Sequence, residues 1–260
     1  MEGIMEHTFV VCAYKISIHL EECILSLINQ SIKSNIIICT STPNEHIEQL
    51  SKKYGIKVYV NLNGGIGQDW NFALNNSPTK YVTIAHQDDI YLPDYAKECL
   101  LRLRNKDSLI VCTMYREIKN GCVIKPNINL KIKGVLLTPL KVSKRSVFLR
   151  MLCLRFGNSV CCPSVSLNMH NLNSFQFSEE YKCDLDWDAW DRIFRKKGSV
   201  YYINKELMYH RIHEDSETSS LISENVRTNE DLIMFKRYWP IPIATKLNNI
   251  YKKSLNSNII

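Results

Sequence analysis

The stretch Ala85-His86-Gln87-Asp88-Asp89-Ile90-Tyr91-Leu92-Pro93 places two adjacent carboxylates and an imidazole directly after an apolar run that begins at Tyr81. Acids at the end of a buried strand are costly unless a cation or hydrogen-bond donors meet them. A metal carrying a phosphate is the simplest such partner. The competing reading is a cap: Asp before Pro is an ordinary helix-start signal, and Asp89 would then serve a helix beginning near Pro93. A second acidic cluster is Cys183-Asp184-Leu185-Asp186-Trp187-Asp188-Ala189-Trp190-Asp191. At about 100° per residue, Trp187, Trp190, Ile193 and Phe194 share one helical stripe, with Asp186 at its edge and Asp188 turned away. A carboxylate beside an apolar wall and near a phosphate site suits a general base that deprotonates an attacking hydroxyl. A cap by Asp184 or Asp186 is again the plain structural alternative. In Tyr209-His210-Arg211-Ile212-His213, Arg211 and His213 share one side of an extended segment. There Arg211 suits a diphosphate and His213 a metal shell, although an isolated Arg-x-His reads equally as a surface turn.

The chain before the first cluster has the pattern needed to position it. Thr8 to Ala13 is a continuous apolar run that fits a strand buried on both faces. Apolar residues from Ile16 to Ile28 recur at helical spacing. Asn35 to Thr40 reads as a second strand. Thr42 then caps a helix with Pro43 in its first turn and Glu45 closing a capping box. That helix ends at Gly55, and a third strand follows over Ile56 to Val60. Asn63-Gly64-Gly65-Ile66-Gly67 turns the chain into a helix from Gln68 to Asn75. Four short strands alternating with helices predict an α/β fold with a parallel, Rossmann-like sheet. Ligands bind such sheets beyond the carboxyl ends of the strands, where Ala13-Tyr14-Lys15, Thr40-Ser41, the glycine turn and His86 to Asp89 all fall.

Beyond the first cluster the pattern predicts a helix from Tyr95 to Lys106, a strand from Leu109 to Tyr115 and a hairpin turning at Asn120-Gly121. Lys125 to Lys133 reads as irregular. Ser143 to Phe156 reads as a basic amphipathic helix, packed on the sheet or touching anionic lipid. Strands over Ser164 to Asn168 and Ser199 to Ile203, a helix from Asn229 to Tyr238 and a basic stretch, Lys246 to Lys253, complete the chain. That last stretch either frays or lies on a membrane surface.

A chain of 260 residues accommodates one large domain with a small appendage. Lys and Arg outnumber Asp and Glu by 33 to 26, a net charge of +7 that suits nucleotides, phosphates or an anionic membrane surface. The excess lacks the density of a nucleic-acid-binding patch, and no nucleic-acid partner is expected. The ten cysteines fall largely in apolar segments without a CxxC, which points to reduced thiols and a cytoplasmic protein. Acids stand where a signal peptide needs cations, and no apolar stretch reaches about 18 residues, so any membrane contact is expected to be peripheral.

Taken in order from Phe9 to about Thr218, these stretches resemble the family 2 glycosyltransferases, whose GT-A fold joins a Rossmann-like nucleotide-sugar half to an acceptor half. Phe9 to Lys15 is similar to the opening strand and Leu20 to Ser31 to the helix after it. Asn63 to Gly67 matches the loop before the third helix, and Ala85-His86-Gln87-Asp88-Asp89 occupies the place of the family's D-x-D. Asp184 to Asp188 stands at the acceptor-side E-D, and His210 to Ser216 matches an R-x-H-x-x-S ending. The resemblance implies a nucleotide-sugar half over residues 1–115, an acceptor and catalytic half over 116–220, and a C-terminal helical, basic extension over 221–260. It further implies a metal-dependent inverting transferase using Mn or Mg, a nucleotide-diphosphate sugar donor and a glycan or lipid-linked acceptor. Asp88 and His213 would hold the metal. Ala13, Tyr14, Thr40, Gly65, His86, Gln87 and Arg211 would meet the nucleotide sugar, and Asp186 would be the base. The implied setting is bacterial surface polysaccharide or glycolipid synthesis at the cytoplasmic membrane face.

The chain departs from the family pattern at His86, which replaces the first Asp, at Thr40-Ser41, which replaces an acidic pair, at Trp70, which replaces an Arg, and at Leu185, which replaces a Glu. A non-catalytic partner that binds sugar nucleotides or glycans is the alternative, and retention of both Asp88 and Asp186 argues against it. A nucleotidyltransferase would need a glycine-rich loop after the first strand, where Ala13-Tyr14-Lys15-Ile16-Ser17 has no glycine.

Overall fold

The computed structural model describes residues 5–212 and 226–256. Strands β1 (His7–Ala13), β2 (Asn35–Thr40), β3 (Lys57–Val60) and β4 (Tyr81–His86) form a parallel array in the order β3-β2-β1-β4. Helices α1 (Leu20–Ile28), α2 (Glu45–Tyr54) and α3 (Ile66–Asn76) connect them. Strand β1 is buried on both faces, as its unbroken apolar run requires. Phe9, Val11 and Ala13 enter one core with α1, α2 and α4 (Tyr95–Leu103), and Val10 enters the other with α3.

The sheet does not stop at β4. Strand β8 (Val165–Asn168) pairs antiparallel with β4, and β6 (Ser108–Lys119) pairs antiparallel with β8. Strand β9 (Ser199–Arg211) runs parallel to β6, and the two-residue β5 (Ile90–Tyr91) closes antiparallel on β9. The β6–β9 register slips, with Thr113 facing Ile203 but Met114 facing Glu206. Such slips bend a strand pair. The far end of β9 thereby meets β5 immediately after the acidic turn. Helix α9 (Leu185–Phe194) and two C-terminal helices, Val226–Lys236 and Ile241–Asn256, cover the α3 face of the sheet. No helix among the described residues is long and apolar enough to cross a membrane. All ten cysteines are free thiols.

Several sequence expectations change. Helix α1 starts at Leu20, leaving Ile16 outside it and 71% exposed. Asn44, not Thr42, caps α2, accepting the Ile47 N–H at 3.1 Å. The Thr42 hydroxyl instead accepts the Lys15 N–H at 2.5 Å, tying the ends of β1 and β2 together. The segment expected to be irregular contains α5 (Ile128–Leu136), capped by Asn127, whose carbonyl oxygen accepts the Leu130 N–H. The basic helix expected over Ser143 to Phe156 is reduced to α7 (Val147–Leu152), after the short α6 (Pro139–Val142). Arg150 does not face lipid: it is fully buried and donates to the carbonyls of Lys196, Gly198 and Arg145. Strand β9 extends well past Ile203 because β6 and β5 pair with its second half. The hairpin at Asn120-Gly121 forms as expected, joining β6 to β7 (Cys122–Val123).

Gly67 shows why α3 begins with glycine. A Cβ there would lie 2.8 Å from the Ser178 carbonyl oxygen, so α3 packs backbone to backbone on the 177–179 segment. Asn71, one turn on, completes the contact by donating to the Phe177 carbonyl at 3.0 Å and accepting its N–H at 2.7 Å.

A polar chain threads the opposite core. His7 Nδ1 meets the Ser34 hydroxyl and Nε2 the Thr83 hydroxyl, each at 2.9 Å, and Thr83 continues to Ser166 at 2.6 Å. Burial pushes the His7 imidazole down from 6.5 to about 3. The folded state therefore holds it neutral while the unfolded chain regains its proton near pH 6.5. Its stability contribution is complete above that value and is lost as pH falls towards 3. We expect the wild type to lose stability across this window faster than His7→Gln, with an extra slope approaching about 1.4 kcal/mol per pH unit. Parallel pH dependence of the two proteins in urea unfolding would remove His7 as the cause.

Candidate active site

The acidic turn is stitched to the far end of the sheet by one buried carboxylate. Asp89 is fully buried, and its Oδ1 accepts from His210 Nδ1 at 3.0 Å and from the Arg211 N–H at 2.9 Å. Burial lowers the proton affinity of His210, but the neighbouring Asp89 carboxylate more than offsets this and leaves it raised. The Arg211 side chain returns the contact: Nε donates to the Asp88 carbonyl at 2.8 Å and Nη2 to Glu22 on α1 at 2.5 Å. Asp89 is therefore not a cap of α4, whose N-cap residue is Asp94.

This fold places ligand atoms of His86, Asp88 and Asp89 within 4.8 Å of one another. Two of those side chains carry buried atoms without a partner among the described residues, Asp89 Oδ2 and His86 Nε2. The His86 ring is fixed by Trp70 of α3, centroid to centroid 5.5 Å. That contact gives Trp70 a physical role at a position where the resemblance leads one to expect Arg. His213, expected from the sequence as a further ligand, lies outside the described residues.

The other strand ends line the same edge. Gln87 is held by backbone: its amide accepts the Tyr14 N–H at 3.0 Å and donates to the Tyr14 carbonyl at 2.9 Å. Ala13 is buried, whereas the Tyr14 ring remains 42% exposed above this junction. The buried Thr40 hydroxyl accepts the Thr42 N–H at 3.0 Å. Gly65 precedes α3 at φ 132°, a conformation natural to glycine, with nothing within 4 Å of where a Cβ would sit. Asp69, which the motifs did not mark, accepts from the Ser41 hydroxyl and the Asn61 amide, both at 2.8 Å. It ties the β2 and β3 ends to α3.

On α9, Asp186 accepts the Trp187 N–H at 2.7 Å and the Asn158 amide at 2.9 Å. Burial pushes its carboxyl up, with the Arg227 guanidinium and these donors opposing. Trp187, Trp190, Ile193 and Phe194 are fully buried, as the stripe predicts. Asp188 does not turn towards solvent. It is buried and paired with Arg192 and Arg237, each at 2.8 Å, because a C-terminal helix covers the side left open by the periodicity.

The same helix holds the start of α9. Glu230 accepts the backbone N–H groups of Lys182, Cys183 and Asp184 at 2.8–3.0 Å. Burial and then Asp231 push Asp184 upward, while burial raises Asp231 to about 6 against the pull of Arg227. None of Arg227, Glu230 and Asp231 was legible as a site residue. Their only sequence signal is a charged group at helical spacing. Lys133 of α5 was also missed: it donates to the Tyr115 hydroxyl at 3.2 Å, and its charge acts on both Asp186 and His210.

The two acidic centres flank one turn. The Cys161 and Cys162 thiols are pushed up mainly by burial, and both feel the charges of Asp89 and Asp186. Asp89 and Asp186 are thus both near enough to this turn for their charges to act on it. Such an arrangement can hold a polyanion next to a carboxylate able to accept a proton.

Removing Glu230 tests how far the α9 entrance depends on the C-terminal helix. Glu230→Ala leaves three N–H groups without their acceptor, and we expect a loss of about 1–3 kcal/mol in urea unfolding. Glu230→Gln, retaining one carbonyl oxygen, should lose less. An unchanged midpoint for Glu230→Ala would show that the entrance does not rely on this carboxylate.

The glycosyl transferase family 2 model matches residues 8–174. An uncharacterized glycosyltransferase of Haemophilus influenzae is 25% identical over 251 residues, covering 91% of this chain and 74% of that protein. Among solved structures, the mannosyltransferase PcManGT from Pyrobaculum calidifontis, in complex with GDP-Man and Mn2+, has a TM-score of 0.66 at 12% identity over 95% of this chain and 69% of that one. S. aureus TarS 1-349, in complex with UDP-GlcNAc, has a TM-score of 0.63 at 15% identity over 94% of this chain and 70% of that one. These likenesses establish the mixed α/β, GT-A-like fold, and the match over residues 8–174 establishes that the chain belongs to glycosyl transferase family 2 and is a glycosyltransferase.

Proposed function

We propose that this glycosyltransferase is metal-dependent and inverting, and that it moves a sugar from a nucleotide-diphosphate donor to a hydroxyl of a glycan or lipid-linked acceptor. The observation that carries the reading is the cluster of His86, Asp88 and Asp89, with ligand atoms within 4.8 Å and two buried atoms without partners among the described residues. Carboxylate oxygens suit Mn2+ or Mg2+. We assign the metal to Asp88, with Asp89 Oδ2 and His86 beside it and His213 as a further ligand. A divalent cation there would neutralise charge developing on a diphosphate leaving group. In this reading His86-Gln87-Asp88-Asp89 replaces the D-x-D of the family, with His86 at the ribose side.

The donor half, residues 1–115, holds the nucleotide along Ala13, Tyr14, Thr40 and Gly65. Gln87 acts through Tyr14, whose backbone it fixes. Arg211, braced by Glu22, keeps its positive charge beside the diphosphate. In the acceptor half, residues 116–220, Asp186 accepts the proton of the acceptor hydroxyl as that oxygen bonds to the anomeric carbon and the bond to the diphosphate breaks. A raised carboxyl is a stronger base, which favours this step. In the C-terminal extension, residues 221–260, the helix Val226–Lys236 supports Asp186 from behind. Complexes of PcManGT with GDP-Man and Mn2+ and of TarS with UDP-GlcNAc support the choice of donor class and metal. We place the reaction in bacterial surface polysaccharide or glycolipid synthesis, on the cytoplasmic side of the membrane.

Asp186→Asn should lower sugar transfer by about 10²- to 10⁴-fold and leave the Mn2+-dependent thermal shift with a nucleotide sugar intact. Asp88→Ala should abolish the Mn2+-dependent part of that shift. Transfer at the wild-type rate by Asp186→Asn, read as nucleoside diphosphate release, overturns the base assignment. A full metal-dependent shift in Asp88→Ala overturns the metal assignment.

A further inference from the structure

Helix α5 has an outer face that the site does not use. Ile128, Ile132 and Val135 recur at helical spacing and are 74%, 50% and 66% exposed, whereas Leu130 and Leu137 on the opposite side are buried. At about 100° per residue the exposed three form a stripe within a 60° sector, and Lys131 lies at its flank. Val142 and Phe148 follow in the chain and are 79% and 63% exposed. The chain segment that carries this stripe has one sign of charge: between Glu117 and Glu179 the sequence contains nine Lys or Arg and no Asp or Glu. Lys125, Lys131 and Lys141 are exposed and form no ion pair among the described residues. Glu206 of β9 lines the same depression as Lys131 but is paired with Arg116 at 2.7 Å, and apolar side chains beside cations fit the headgroup region of an anionic bilayer. A protein partner fits less well, since lysine is depleted at protein interfaces.

We propose that α5 docks this chain on an anionic membrane surface through the Ile128–Ile132–Val135 stripe, with Lys131 on the headgroups. The opposite face of α5 carries Lys133, whose charge reaches Asp186, so docking places the base close to the lipid surface. An acceptor presented there is lipid-borne. This last consequence rests on the function proposed for Asp186; the docking does not.

Co-sedimentation of the full chain with vesicles tests the inference. Binding is expected to phosphatidylglycerol vesicles, to fall with added salt, and to be absent with phosphatidylcholine vesicles. The double substitution Ile132→Ser with Val135→Ser keeps the net charge and should weaken binding at least tenfold, at an unchanged melting temperature. Lys131→Glu should weaken it further than Lys52→Glu, an equal charge change on the exposed face of α2. Equal binding by the stripe variant and the wild type overturns the proposal, because it reduces the interaction to net charge. Loss of a dimer in the stripe variant, with vesicle binding unchanged, overturns it in favour of a second copy. An intact Mn2+-dependent shift with nucleotide sugar, in a protein that binds no vesicles, removes the docking and leaves the proposed function standing.

Discussion

One carboxylate oxygen, Asp89 Oδ1, fastens the turn after β4 to the end of β9, next to the short β5–β9 pairing. It accepts from His210 and from the Arg211 backbone, residues more than a hundred positions away in the chain. A buried carboxylate is tolerable only with such donors, and removing either side leaves an uncompensated group. The turn from His86 to Asp89 depends on this contact for its shape. So does the direction of Arg211, which closes back on Asp88 and on Glu22. The slipped β6–β9 register and the two-residue β5 make sense as the means of bringing β9 to that oxygen. With Oδ1 doubly occupied, Oδ2 is held in place and has no partner among the described residues.

The surroundings of Asp186 follow the same rule from another direction. Asp186 sits on a short helix with an aromatic underside, and the helix is anchored from behind by acids and arginines of a C-terminal helix. Glu230 collects three backbone N–H groups at the α9 entrance, and Arg237 pairs with Asp188 further along. Burial raises Asp186, while Arg227 and Asn158 limit the rise. Its proton affinity is thus raised while its oxygens remain hydrogen-bonded. Each centre therefore consists of a functional oxygen and a buried scaffold that fixes it.

Where the sequence misled, the cause is a partner far along the chain. Asp89 reads as a cap because Pro93 follows it, yet the carboxylate is drawn inward by β9. Asp188 reads as solvent-facing because helical periodicity describes one helix at a time, and the C-terminal helix that covers it belongs to no local pattern. Residues 125 to 133 read as irregular because Pro126 and two asparagines mask the apolar spacing. In the fold Asn127 is the cap that starts α5, fastened by Glu117 of the neighbouring strand. Arg150 looks like part of a basic surface until its guanidinium is seen to satisfy three carbonyls.

By itself the sequence determined the parallel β3-β2-β1-β4 array, its ligand-binding edge, the hairpin at Asn120-Gly121 and the aromatic stripe of α9. These follow from unbroken apolar runs, turn residues and helical spacing, which are local constraints on burial. The tertiary structure alone decided what each acid does. Asp88, Asp89, Asp184, Asp186 and Asp188 are chemically near-identical in the sequence. Only burial and the donors brought to each one separate the latch at Asp89, the ion-paired Asp188 and the carboxyls of Asp184 and Asp186 that burial pushes up. A carboxylate's role is set by what desolvates it and what hydrogen-bonds to it, and both come from elements distant in the chain.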